Sequence, residues 1–393
     1  MNNKIMIHKI AILSLSFLIT SYLSISPALP LIEKGVTKSS AVNTELLVTI
    51  PALFMAIMVF ASSFISRKIG IKNMTIVGLG IVLCSSLLSA RITSMDILLR
   101  MRGVLGVGLG MVNFSAIELI NINYCGDEKA YVMGVRSAVE SLGQSILAIG
   151  AGKIIRFGWN KVFLIYLAGI PILILFIKAF TNQKLKNYQK EQKIIYKISR
   201  KDVALTFLTL FLLIAHTGLI VRLSNIIIIR NLGSISDASM IQGAMTLIGM
   251  ISGCCFGIIF KKVSHYLFPL SLFGMGIVHY LIYLSSNIFI VTIAMLLAGA
   301  LFCILISYIF NMICEVSYDG AESFSSALIL MGCNLGGFTA PFFLQFFTEV
   351  FGEKNNIVFP FQCFSICFIV LSIILFCIIM KINKKEESAK YSI

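Results

Sequence analysis

Ser63-Phe64-Ile65-Ser66-Arg67-Lys68-Ile69-Gly70-Ile71-Lys72 closes one long apolar run, and Gly257-Ile258-Ile259-Phe260-Lys261-Lys262-Val263-Ser264 closes another about 194 residues later. An apolar helix ending in a basic pair therefore recurs at the same place in two halves of the chain. A duplicated six-span unit is the economical explanation.

Working outward from these runs, the rest of the 393 residues has the same character. Apolar residues make up 58% and charged residues 12%, where soluble chains carry about 25% charged residues. Mean hydropathy is +0.95. The bilayer is the solvent, and a hydrocarbon core of roughly 30 Å needs about 20 apolar residues per helix. Spans are predicted at 10 to 32, 45 to 66, 73 to 93, 97 to 123, 131 to 155 and 161 to 180. A second sextet follows at 203 to 229, 239 to 260, 266 to 286, 288 to 313, 324 to 348 and 358 to 381. The expected fold is all-α and integral to the membrane, with about twelve transmembrane helices in two pseudosymmetric six-helix bundles. Residues 1–180 form the first bundle and 203–381 the second. A basic linker at 181–202 joins them, and a tail at 382–393 follows.

The first run follows Lys4 and Lys9 and so imitates a signal peptide. It ends in Ser26-Pro27-Ala28-Leu29-Pro30 without a small-x-small cleavage site, and reads as a retained helix. The formal charge of +15 is dispersed over joints between helices, which excludes nucleic acid as a partner and marks topology instead. Alternate joints carry about 20 Lys and Arg on the side shared by the N-terminus, linker and C-terminus, against about 7 on the other. Both termini are therefore expected in the cytoplasm, with the chain in the plasma membrane. Cys84, Cys303, Cys333 and Cys377 stand alone in apolar runs and Cys254-Cys255 are adjacent, so the cysteines read as packing groups. No cofactor or metal is expected. The glycines of Gly103, Gly106, Gly108 and Gly110 follow no strand and precede no Lys-Ser/Thr, so they are helix contacts and not a phosphate loop.

Together the motifs resemble the major facilitator superfamily. Ser63 to Lys72 is similar to that family's loop between helices 2 and 3 at Gly70 and Lys72, with similar residues at Ile65 and Lys68. It departs at Arg67, where the family has Asp, and at Ser63, where it has Gly. Arg102-Gly103-Val104-Leu105-Gly106-Val107-Gly108 resembles the fourth-helix motif without its Gln, and Gly158-Trp159 with Phe163 and Tyr166 resembles the entry to helix 6. The Gly-Pro motif of many family antiporters is absent from Gly143 to Gly152. The resemblance implies a monomeric secondary transporter of a small solute, working by alternating access and coupled to protons. A drug or metabolite efflux antiporter is the narrower alternative, and a membrane enzyme or lipid-handling protein the remote one.

Ionisable groups inside spans cost roughly 2.5 to 3.5 kcal/mol each on insertion scales, so each needs a partner or a wet cavity. They are Arg100, Arg102, Glu118, Arg136, Glu140, His216, Arg222, His279 and Glu315. The resemblance assigns Arg102 to holding a substrate anion or lowering the pKa of a nearby carboxylate. Depth counted from the span ends pairs Glu118 with Arg136 and sets Glu140 level with Asn113. Glu140 is the expected proton-exchanging carboxylate, with His216 near the midplane as its assistant. The hydroxyl series of the first span, with Tyr22, is expected to line the cavity. Two charge-swapped latches are expected at the inner gate: Arg67 and Lys68 with Asp319 and Glu322, and Lys261 and Lys262 with Asp127 and Glu128. A topology with both ends cytoplasmic predicts that a cysteine placed in the Lys184 to Lys201 linker is protected from impermeant reagent in intact cells; labelling there overturns it.

Overall fold

The computed structural model describes residues 2–37, 40–180, 198–318, 322–353 and 356–390. Most of the basic linker and Asp319 lie outside the described residues. Helix 1 runs over Met6–Gly35, helix 2 over Ala41–Ile69, helix 3 over Ile71–Ser89, helix 4 over Met95–Asn123 and helix 5 over Gly126–Ile154. Helix 6 covers Trp159–Phe180. Helices 7 to 12 are Arg200–Ile229, Ile235–Val263, Leu267–Leu284, Ile288–Val316, Glu322–Val350 and Phe359–Lys390. The last continues as helix to Lys390, into the stretch expected to be a tail.

Among the described residues, ten segments are long and apolar enough to cross a membrane, and one of them, Ile235–Leu284, contains both helix 8 and helix 9. Helix 5 is not among the ten. Its 29 residues match helices 2, 4 and 8 in length, but Arg136, Glu140 and Gln144 occupy its middle. Its neighbours supply the polar partners that lipid cannot.

The duplication is visible in the local chemistry. Helices 2 and 8 both have 29 residues and begin 194 residues apart. Each starts on a serine cap: Ser40 Oγ accepts from the Asn43 amide, and Ser234 Oγ from that of Asp237. Each ends where the chain turns through positive φ, at Gly70 (80°) and at Ser264 (54°), again 194 residues apart. Gly70 adopts that conformation at little cost, whereas Ser264 is strained there.

Helix 1 is the main departure from expectation. In place of one α-helix the chain is α-helical to Leu15, 3₁₀ over Ser16–Leu18 and Ser21–Ala28, and α-helical again over Leu29–Gly35. Ser14 and Ser21 return their hydroxyls to the local carbonyls of Ala11 and Leu18, and Pro27 contributes no N–H. Helix 6 likewise begins as a 3₁₀ segment, Trp159–Ala168.

Arg102 fastens these irregular pieces together. It is 1% exposed. Its Nε donates to Leu47 O at 2.6 Å, Nη1 to Tyr166 Oη at 2.7 Å and Nη2 to Tyr22 O at 3.0 Å. Tyr166 Oη in turn donates to Ser21 O at 3.2 Å. The Leu47 carbonyl stands four residues before Pro51 inside helix 2, and Pro51 has no N–H to return to it. Helices 1, 2, 4 and 6 thus meet on one guanidinium, and Arg102→Gln is expected to lower stability by about 3 kcal/mol, since several buried acceptors lose their donor. Thermal unfolding in detergent checks this; an unchanged midpoint rules out the bracing role.

Candidate functional site

Helix 1 lies along helix 5 in a fixed register. Ser24 Oγ donates to Gln144 O at 3.1 Å and Thr20 Oγ1 to Glu140 O at 3.5 Å. Between them Gly143 is obligatory, because a Cβ there would stand 2.1 Å from Phe17 O. This contact fixes the height of Arg136 and Glu140, which project one turn apart from the middle of helix 5. Arg136 Nη1 lies 3.6 Å from Glu140 Oε2, an ion pair beyond hydrogen-bond reach. Arg136 Nη2 donates to Asn113 Oδ1 of helix 4 at 2.5 Å. Arg136 Nε is buried with no hydrogen-bond partner.

Asn113, Arg136 and Glu140 therefore form one cluster, and the Tyr22 hydroxyl lies within electrostatic range of Glu140 and of Cys333 of helix 11. This is where the two halves face each other. Gly337 of helix 11 lies against Thr217, Ala52 and the Tyr22 hydroxyl.

Other expected site residues stand elsewhere. Glu118 does not pair with Arg136; its carboxylate accepts from Asn121 at 3.4 Å. The error is one of register. Helix 5 begins at Gly126, not 131, because Gly126-Asp127-Glu128-Lys129 form a polar first turn that an apolar window discards. Arg136 is thus ten residues deep, level with Asn113, about 15 Å from the helix end. Arg102 faces neither a carboxylate nor the cluster; all three guanidinium nitrogens are occupied by neutral acceptors. His216 stacks on Phe302 of helix 10, with ring centroids 3.6 Å apart, inside the second bundle. His279 sits among Phe361, Phe364 and Phe368. Neither histidine joins Glu140.

Of the four acids in the expected latches, Glu128 is the one whose side chain is described. Glu128 pairs with Lys9 of its own half at 4.0 Å, not with Lys261 or Lys262. Lys9 also lies over the rings of Tyr124 and Tyr131, so the start of helix 1 captures the acid. Asp319 and the side chains of Asp127 and Glu322 lie outside the described residues. Arg67, Lys68, Lys261 and Lys262 are exposed.

The sequence reading missed a seal on the side away from the termini. Arg222 of helix 7 reaches across the halves to Glu45 of helix 2, Nε to Oε1 at 3.0 Å, with both side chains under a tenth exposed. Arg222 Nη1 also donates to Ile357 O at 2.7 Å, while Glu45 Oε2 is buried without a partner. Around this pair Gln242 Nε2 donates to Leu23 O, Ser26 Oγ to Gln242 Oε1, Ser224 Oγ to Pro27 O and Ser145 Oγ to Gly243 O, at 2.7 to 2.9 Å. Every one joins the halves, and every one lies in the distal half of its helices. Glu45 escaped notice because its depth, five residues past the Ser40 cap, looks like a helix mouth.

Glycines report the tilt that results. On the distal part of helices 5 and 8 a Cβ at Gly152 would strike Ser239, and one at Gly243 would strike Ile149; at the terminal-side ends, Gly134 and Gly257 have nothing within 4 Å. The helices converge distally and part toward the termini.

The family model for the Major Facilitator Superfamily matches residues 10–267. The fold is similar to the crystal structure of a bacterial homolog to the human lysosomal transporter Spinster in an inward-facing and occupied conformation, with a TM-score of 0.75. Identity is 13% over 97% of each chain, a likeness of fold. A search of curated proteins returned no match.

Removing one member of a buried ion pair costs about 3–5 kcal/mol. In a background without native cysteines, Glu45→Ala is therefore expected to speed the reaction of a cysteine at Thr20 with impermeant maleimide, added from the distal side, by at least about tenfold. An unchanged rate would mean that the pair does not hold the seal.

Proposed function

This chain belongs to the major facilitator superfamily, and from that premise we propose that it is a proton-coupled secondary transporter, carrying a small solute across the plasma membrane by alternating access. Both termini lie in the cytoplasm in this reading, supported by the excess of Lys and Arg on their side. The distally sealed structure is then the inward-facing state.

The observation that carries the coupling is the loose ion pair of Arg136 and Glu140 at the junction of the halves. A guanidinium keeps its charge at every working pH, while a carboxylate can give its charge up. With Glu140 ionised, Arg136 is held by it and by Asn113. When Glu140 takes a proton, the Coulomb attraction ends and the guanidinium is free to meet solute. Return of the proton to the other side restores the pair and displaces what Arg136 held. One carboxylate thus links proton occupancy to solute occupancy without contact between the two ligands. Tyr22 and Asn113 border the exchange with neutral groups.

Glu140→Gln mimics the protonated form permanently. In proteoliposomes it is expected to abolish accumulation driven by a pH gradient while solute exchange persists within about tenfold of wild type. Normal accumulation by Glu140→Gln would show that another group carries the proton.

A further inference from the structure

The arginines at or near the interior of this molecule differ in how completely their donors are used. Arg102 has all three nitrogens bonded to neutral oxygens. Arg222 is held by Glu45 and Ile357 O. Arg230, at the distal end of helix 7, donates to Tyr283 O, Ile282 O and both oxygens of Ser285. Arg136 is the exception. Nine-tenths of it is buried, its single hydrogen bond goes to the amide oxygen of Asn113, its Nε is buried and unpartnered, and the nearest carboxylate oxygen stays at 3.6 Å.

An interior cation left with open donors is complementary to one class of ligand. The guanidinium fork matches the paired oxygens of a carboxylate or a phosphate, with charge assistance that neutral acceptors do not provide. Its place suits a ligand as well: Arg136 stands mid-helix on the side where helices 5 and 8 part, with exposed Ser137 beside it, and half-buried Asn334 on helix 11 of the other half. We propose that Arg136 is an anion-binding site, and that the transported solute presents a carboxylate or phosphate-type oxyanion to it. Resting on the transport reading above, this names its substrate class. Glu140 then acts as the resident stand-in for the solute anion, close enough to hold the cation and too far to saturate it. The anion role that the family resemblance gave to Arg102 passes to Arg136, because every nitrogen of the fully buried Arg102 already donates to a neutral oxygen.

The test uses the wild-type full chain in inside-out vesicles, treated with phenylglyoxal and read by peptide mass spectrometry. Arg136 is expected to react at least about tenfold faster than Arg102, which is 1% exposed with a hydrogen-bond partner on each nitrogen. Benzoate and glycerol 3-phosphate are expected to slow that reaction at least about threefold, while benzamide and glycerol at matched ionic strength leave it unchanged. Arg136 as inert as Arg102, or equal protection by benzoate, benzamide and sodium chloride, overturns the proposal. Glu140→Gln keeps the anion protection, since the stand-in is gone and the cation remains. Protection with normal gradient-driven accumulation in Glu140→Gln would sink the coupling scheme and leave the anion site standing; accumulation lost but protection absent would do the reverse.

Discussion

A guanidinium cannot shed its charge inside a membrane, so every interior arginine of this chain must be supplied with acceptors. The means of supply differs in each case, and it sorts the molecule into parts. Arg102 takes backbone carbonyls, one of them released by Pro51, and becomes a brace within the first bundle. Arg222 takes a carboxylate from the opposite bundle and becomes part of a seal. Arg136 takes only the Asn113 oxygen and a carboxylate at 3.6 Å, its Nε is left without a partner, and the proposed site is built on it. Frame, gate and site thus follow from one constraint.

The seal is built at a strength suited to cycling. Side-chain hydrogen bonds between membrane helices average about 0.6 kcal/mol, so the four around Gln242, Ser26, Ser224 and Ser145 contribute only a few kcal/mol together. A buried ion pair is about neutral against its desolvation cost when intact and expensive when half removed. Glu45 and Arg222 must therefore separate into water together. A gate of this kind holds one state without trapping it, as a population balance of a few kcal/mol requires. The irregular helix 1 serves the same end. Its 3₁₀ stretch presents the Leu23 and Pro27 carbonyls to the other half, where a regular α-helix would have kept them.

Much of the architecture was legible in the sequence because lipid leaves so few options. Apolar run length located the crossings, and the echo of Ser63 to Lys72 in Gly257 to Ser264 announced the duplication that Gly70 and Ser264 confirm by backbone geometry. The site was less legible. Apolar windows clip polar helix starts, which shifted helix 5 by more than a turn and paired Arg136 with Glu118 in place of Asn113. Glu45 looked like a mouth residue because nothing in a single sequence shows that Arg222 will come from the other half to bury it. Arg102 matched a family motif, but a motif does not reveal that Pro51 has left an acceptor waiting for it. The misses at Glu45 and Arg102 concern contacts between residues distant in sequence, where periodicity carries no information.

In the proposed cycle the halves rock about the Arg136 cluster, one face closing as the other opens. Electron spin-resonance distances in nanodiscs test it directly, with labels on Arg91 and Ser286 at the distal face and on Asn73 and His265 at the terminal face, all four positions but Arg91 and Asn73 lying in the second half. As pH and solute are varied, the distal distance is expected to lengthen whenever the terminal one shortens, each distribution showing two populations. Distances that hold constant, or that lengthen together, would contradict the account.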